Sequence, residues 1–274
     1  MTTAQKVIKY LAIAFAIFLT VTIIGGILSA VGLIGGFFTG EDLTGEMQTY
    51  SVSADIQNLD VVIKAADIYI KEGDAFLVKS NLKKLKVEEK NGFLFIEDPT
   101  KAKAQLFGSN TFKDAVLTLY VPAGTVFENI HLTTGAGRLT VDNLSAATLD
   151  LELSAGEVTI GSLFATKSAD IEGGAGRVTI SDGAIKNLDL EMGVGQLNLT
   201  SALAGDCSLD SGVGETNITL IGNKDDYKLE LEKGLGSISV EGKDVSDYGS
   251  SGNGANKVEI HGGVGAINIE FKES

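Results

Sequence analysis

Apolar and polar positions alternate along most of the chain after residue 44, and the alternation breaks at regularly spaced glycines. Leu149 and Leu151, Leu188 and Leu190, Leu229 and Leu231, and Val258 and Ile260 each precede such a glycine with one polar residue between them. Leu139 and Val141, Val158 and Ile160, Val178 and Ile180, and Ile238 and Val240 follow it in the same way. A period of two marks a strand with one buried face. The phase shifts by one residue across the glycine. In the last copy Val258, Ile260 and Val264 share one parity, and Ile267 and Ile269 have the other. A straight strand would turn its second half inside out. The chain is therefore expected to bend at the glycine, with positive φ there and with the preceding Ala, Val or Leu packed into the corner.

The glycines define a repeat: GAGRLTV, SAGEVTI, GAGRVTI, GVGQLNL, GVGETNI, GLGSISV and GVGAINI. Their corner positions are Gly137, Gly156, Gly176, Gly195, Gly214, Gly236 and Gly265, at steps of 19, 20, 19, 19, 22 and 29 residues. KAADIYI is a degenerate earlier copy with Ala66 in the glycine place. A third apolar mark follows at Leu144, Leu163, Ile185, Leu203 and Ile221. Two strands and a short third side make one coil. The expected fold is all-β: a single-stranded β-solenoid (β-helix) of 19–20-residue coils, each pairing with its copy above and below. Propeller blades need about 40 residues or more, and a sandwich would leave the glycine spacing unexplained. Residues 131–274 hold the regular repeats, and residues 41–130 read as irregular first coils or a cap. Within the latter, KKLKVEEKNGFLFIEDP predicts a hairpin turning at Asn91-Gly92, and AVLTLYVPAG a strand ended by Pro122. Residues 101–112 and 243–256 read as loops, the second stretching the last step.

Ahead of this lies a different pattern. Residues 10–40 contain no charged side chain, which predicts one transmembrane helix, since about 20 apolar residues cross a bilayer core. Lys6 and Lys9 precede it, and Glu41, Asp42 and Glu46 follow. The positive-inside bias puts residues 1–9 in the cytoplasm and the C-terminal domain outside the cell membrane. The run is long for a signal peptide, and Leu28-Ser29-Ala30 is a poor cleavage site. The formal net charge of −14 argues against a nucleic-acid partner. One cysteine, Cys207, permits no intrachain disulfide, and its inward parity makes it a small buried hydrophobe.

The same parity locates the polar side chains. Asp150 and Glu152, Asp170 and Glu172, Asp189 and Glu191, Asp210, and Glu230 and Glu232 all point outward from the first strand of their coils. Stacking would gather them into two acidic columns. Such columns serve either as a solvated face that blocks aggregation or as an anionic surface for divalent cations or a basic partner. The two histidines, His131 and His261, fall on outward positions and read as solvated surface residues. The GGxG segments are not calcium nonapeptides, because Val178 and Ile267 stand where the ligand aspartate belongs. No helix follows the glycines to make a phosphate cradle. No catalytic, cofactor-binding or metal-binding residues are expected.

LDLELSAGEVTI, ADIEGGAGRVTI and LDLEMGVGQLNL, set behind a membrane helix, resemble the putative-adhesin family of bacterial domains of unknown function, over residues 45–271. That resemblance implies a β-helix on the cell surface and brings no active site. It favours a non-catalytic surface module, adhesin-like or a scaffold, meeting an envelope protein or polysaccharide. The alternatives are a regulatory accessory protein of an envelope-stress response and a carbohydrate-active β-helix enzyme. The scarcity of aromatic residues speaks against the enzyme.

Overall fold

The computed structural model describes residues 44–53, 55–99, 114–245 and 248–273. The expected cytoplasmic segment 1–9, the membrane helix at 10–40 and the loop at 101–112 lie outside the described residues. Among the described residues no helix is long and apolar enough to cross a membrane.

The described chain is all-β. Its strands are β1 (Thr44–Ser51), β2 (Asn58–Ala65), β3 (Asp67–Gly73), β4 (Leu77–Leu82), β5 (Lys86–Lys90), β6 (Phe93–Glu97), β7 (Val116–Pro122) and β8 (Phe127–Ile180). They continue with β9 (Gly183–Lys186), β10 (Leu188–Ala204), β11 (Asp206–Ile221), β12 (Tyr227–Glu232), β13 (Leu235–Val240), β14 (Lys243–Asp244), β15 (Tyr248–Ser251) and β16 (Asn256–Lys272). Successive coils pair parallel and in register, so that like stacks on like: Leu190 on Ile171 and Leu209, Leu199 on Ile180 and Ile218. The alternating apolar residues of the strands before and after each corner are buried in one continuous core, except the residue directly before the glycine. Cys207 is buried in that core. The third side is the short strand β9, paired with β8 and β10, and it buries Leu163, Ile185 and Leu203. Ile221 departs from expectation and is only half-buried. Strand β11 reaches and ends at Ile221, pairing it with Lys272. The buried Tyr227 closes the coil instead, its hydroxyl donating to the Ile221 carbonyl at 2.7 Å and accepting from the Leu203 amide at 3.3 Å.

The coils do not stack in chain order. Strand β11 pairs with β16, the last strand of the chain, and β16 pairs on its other edge with β12 and β13. The final coil therefore sits between the two that precede it in sequence; the stretch 243–256, expected as a loop, contains β14 and β15, which pair with β13 and β12. The other end mirrors this. Strands β2 and β3 lie between β8 and the later segments β6 and β7. Each inserted coil gains backbone partners along both edges, whereas a coil left outermost would expose one edge. Antiparallel strands close the ends: β5 on β6, β4 on β7 and β1 on β4 at one end, β14 on β13 and β15 on β12 at the other. The β5–β6 hairpin turns at Asn91-Gly92 as expected, with φ of 51° and 77°.

Candidate functional site

The corners shape the outer surface. Six of the corner glycines, Gly137, Gly156, Gly176, Gly195, Gly214 and Gly265, have φ between 128° and 147°. The seventh, Gly236, lies outside that range, but a Cβ there would strike the carbonyl oxygen of Gly265. Each of the others faces the corresponding oxygen of the neighbouring coil, as Gly195 faces Gly176. The position is glycine for two reasons, a left-handed bend and the close approach of the next backbone. Ala66, at the degenerate copy, has no left-handed φ, and its side chain is buried in the core. The residue before the glycine is not packed inward as its parity suggested. Four consecutive residues, such as Ser154 to Glu157, turn away from the core at the corner, which puts Ala155, Ala175, Val194, Val213 and Val264 at the surface. The phase shift is taken up by this outward run rather than at the glycine alone.

The first strand of each coil carries the acidic residues, and stacking aligns them as expected. One column runs Asp150, Asp170, Asp189, and the other Glu152, Glu172, Glu191, Asp210. Partial burial, and then the neighbouring Asp189, Asp150 and Glu152, hold the Asp170 carboxyl above the usual range. Desolvation, followed by Asp170, Glu152, Glu191 and Asp150, does the same for Glu172. Among the described residues Asp170, Glu172, Asp189 and Glu191 make no ion pair. Both columns are interrupted before Glu230 and Glu232, the first by Ser208 of β11 and the second by His261 of the inserted β16. Ser208 and Glu259 stand between Asp189 and Glu230, and His261 stands between Asp210 and Glu232. Glu230 is also neutralised. Lys228 at 2.6 Å and Lys257 at 3.0 Å donate to it and hold its carboxyl down at about 2. Lys257 bonds Glu259 as well.

The histidines, read from sequence as solvated residues, are half-exposed and bounded by these columns. His131 Nδ1 lies 2.9 Å from Asp150 and His261 Nδ1 lies 2.8 Å from Asp210. They stand at opposite ends of the acidic block. No three of the His, Cys, Asp and Glu side chains among the described residues are grouped to hold a metal ion. The carboxylates form lines, not a cage.

The second strand is organised differently, and sequence reasoning passed over it. The residue after each corner glycine forms a column in which Arg138 lies 3.6 Å from Asp67 and 3.5 Å from Glu157, and Arg177 lies 3.5 Å from Glu157 and donates to Gln196 at 3.0 Å. The signal was present as R, E, R, Q at that position. Two residues on, Asn198, Asn217 and Asn268 form an amide ladder, each donating to the coil behind at 3.5, 3.1 and 3.0 Å.

Residues 55–270, which include every corner and both columns, match Toastrack DUF4097. The chain belongs to the Toastrack DUF4097 family. No curated protein matches the sequence. Among solved structures, the Toastrack chain is similar to a "putative cell adhesion protein" from Clostridium sporogenes, with 19% identity, 83% of this chain and 99% of that one covered, and a TM-score of 0.33. It is also similar to a "putative adhesin" from Bacteroides fragilis, with 14% identity, 82% and 96% covered, and a TM-score of 0.40. A "putative adhesin" from Parabacteroides distasonis matches at 12% identity, 83% and 98% covered, and a TM-score of 0.31.

Proposed function

We propose that this Toastrack chain is a non-catalytic surface module of the cell envelope. Residues 10–40 anchor it as a single span with the N-terminus inside, and the stacked coils present the acidic columns outside the membrane. One observation carries the reading: Asp170, Glu172, Asp189 and Glu191 stack like charge on like charge, while the adjoining strand of the same coils pairs its charges. A face kept only for solubility needs net charge, not alignment. Aligned carboxylates at a fixed repeat suit an extended basic partner, because each coil offers the same contact to the next unit along it.

The test uses the full chain in phosphatidylcholine nanodiscs and a panel of basic peptides, neutral polysaccharides and wall fragments. Basic ligands are expected to bind and to be released as salt is raised. Salt-insensitive binding of a neutral polysaccharide, with no basic ligand retained, would overturn the reading. Protease added to intact cells should remove a C-terminal epitope while sparing an N-terminal one, and the reverse pattern would overturn the topology.

A further inference from the structure

The outward run at the corners leaves an apolar row that the acidic columns do not account for. Val194, Val213 and Val264 are 52%, 44% and 40% exposed, and they stack directly on one another, with Leu235 next in line. Single exposed valines are ordinary, but a contiguous row needs a reason. The glycines on both sides keep the row free of neighbouring side chains. Beside it lies a groove of about 500 Å³, lined by Glu152, Glu172, Glu191 and Asp210 and by Gly193 and Gly212, which directly precede Val194 and Val213.

We propose that this row and groove dock a cationic amphipathic helix, laid along the stacking direction with its apolar side on the valines and its lysines or arginines against the carboxylates. The proposal rests on the reading of the acidic columns as a binding face and names the partner. Charge complementarity selects it. A second copy of the chain, or an anionic lipid surface, would bring negative charge against Glu172 and Glu191.

The repeat selects a helix over an extended strand. Coils are spaced about 4.8 Å apart. A helix advances about 5.4 Å per turn, so one residue per turn meets one coil with a drift of roughly 0.6 Å each time. Same-face residues of a strand lie about 6.8 Å apart and lose register within two coils. Residues at i, i+4 and i+7 would thus sit on Val194, Val213 and Val264 in turn, with the flanking basic residues over the groove.

The experiment compares two peptides of about 18 residues, roughly five helical turns. One carries leucines on one face and lysines beside them, and the other has the same lysines with serine in place of leucine. Binding to the full chain in phosphatidylcholine nanodiscs is measured by calorimetry, with empty discs as the blank. The leucine peptide is expected to bind at least tenfold more tightly. Val194→Thr with Val213→Thr, which keeps the β-branch and the strand, should remove at least fivefold of that advantage and leave the serine peptide unchanged. Glu172→Gln, Glu191→Gln and Asp210→Asn together should weaken both peptides. Equal affinity for the two peptides, or an unchanged advantage in the threonine variant, would overturn the helix proposal and leave the acidic face standing. Failure of both peptides to bind would overturn both readings. Circular dichroism of each variant confirms that the strands are retained.

Discussion

The two strands of one coil treat charge in opposite ways. On the second, Asp67, Arg138, Glu157 and Arg177 alternate in sign, and the amides of Asn198, Asn217 and Asn268 hand a hydrogen bond from coil to coil. On the first, Asp150, Asp170 and Asp189 repeat one sign, as do Glu152, Glu172 and Glu191. Both strands share a backbone repeat, a core and a corner, so neither fold nor spacing forces the difference. The second strand shows what stacking can do for stability. The first gives that up in the middle of the block and recovers it only beyond the middle, where His131 meets Asp150, His261 meets Asp210, and Lys228 and Lys257 meet Glu230.

The largest effect is expected at the joint between the strands. Gly195→Ala puts a Cβ against the Gly176 carbonyl oxygen at a φ of 146°, and should cost about 3 kcal/mol or more. Thermal melting of the two chains checks this, and a loss below about 1 kcal/mol would mean that the corner can relax. Next is the amide ladder. Asn217 both donates to Asn198 and accepts from Asn268, so Asn217→Ala should cost on the order of 1 kcal/mol by denaturant titration.

A smaller effect separates the paired Glu230 from the unpaired carboxylates. The Glu230 carboxyl titrates at about 2 when folded against an ordinary 4.5. The unfolded chain therefore binds that proton first, and the stabilisation from Glu230, complete above the ordinary value, is lost as pH falls from about 4.5 to about 2. Asp170 has the opposite sign. Its raised value means that the folded chain binds the proton first, so acidification relieves it. Melting temperature measured against pH should fall more steeply over this window in the native chain than in Glu230→Gln. Parallel curves would show that the lysine cluster adds nothing.

Much of the architecture was legible because period-two alternation and glycine spacing are local signals. Burial at Leu190, Ile180 and Val258, the left-handed bend at Gly195 and the β5–β6 hairpin follow from a few residues each. The order of the coils does not. Copies with the same pattern can pair with one another in the same register, so GVGAINI fits equally well beside GVGETNI or beyond GLGSISV. Only the long steps of 22 and 29 residues hinted at a detour. The exposed valines were misplaced because parity was carried straight through a corner that spends four residues facing outward. The acidic columns were visible as outward parity. The gap at Ser208 was visible in the sequence, the arrival of His261 beside Asp210 was hidden with the coil order, and the R, E, R, Q column shows its pairing of opposite signs only when coils are stacked.

On the proposed function, the unpaired carboxylates cost stability and are retained for contact with a partner. The melting temperature of Asp170→Asn, Glu172→Gln and Asp189→Asn combined, against the native chain at low and at raised salt, tests it most directly. A higher melting temperature is expected for the variant, with a gap that narrows as salt screens the repulsion. A lower melting temperature, or none of the expected gain at low salt, would contradict it.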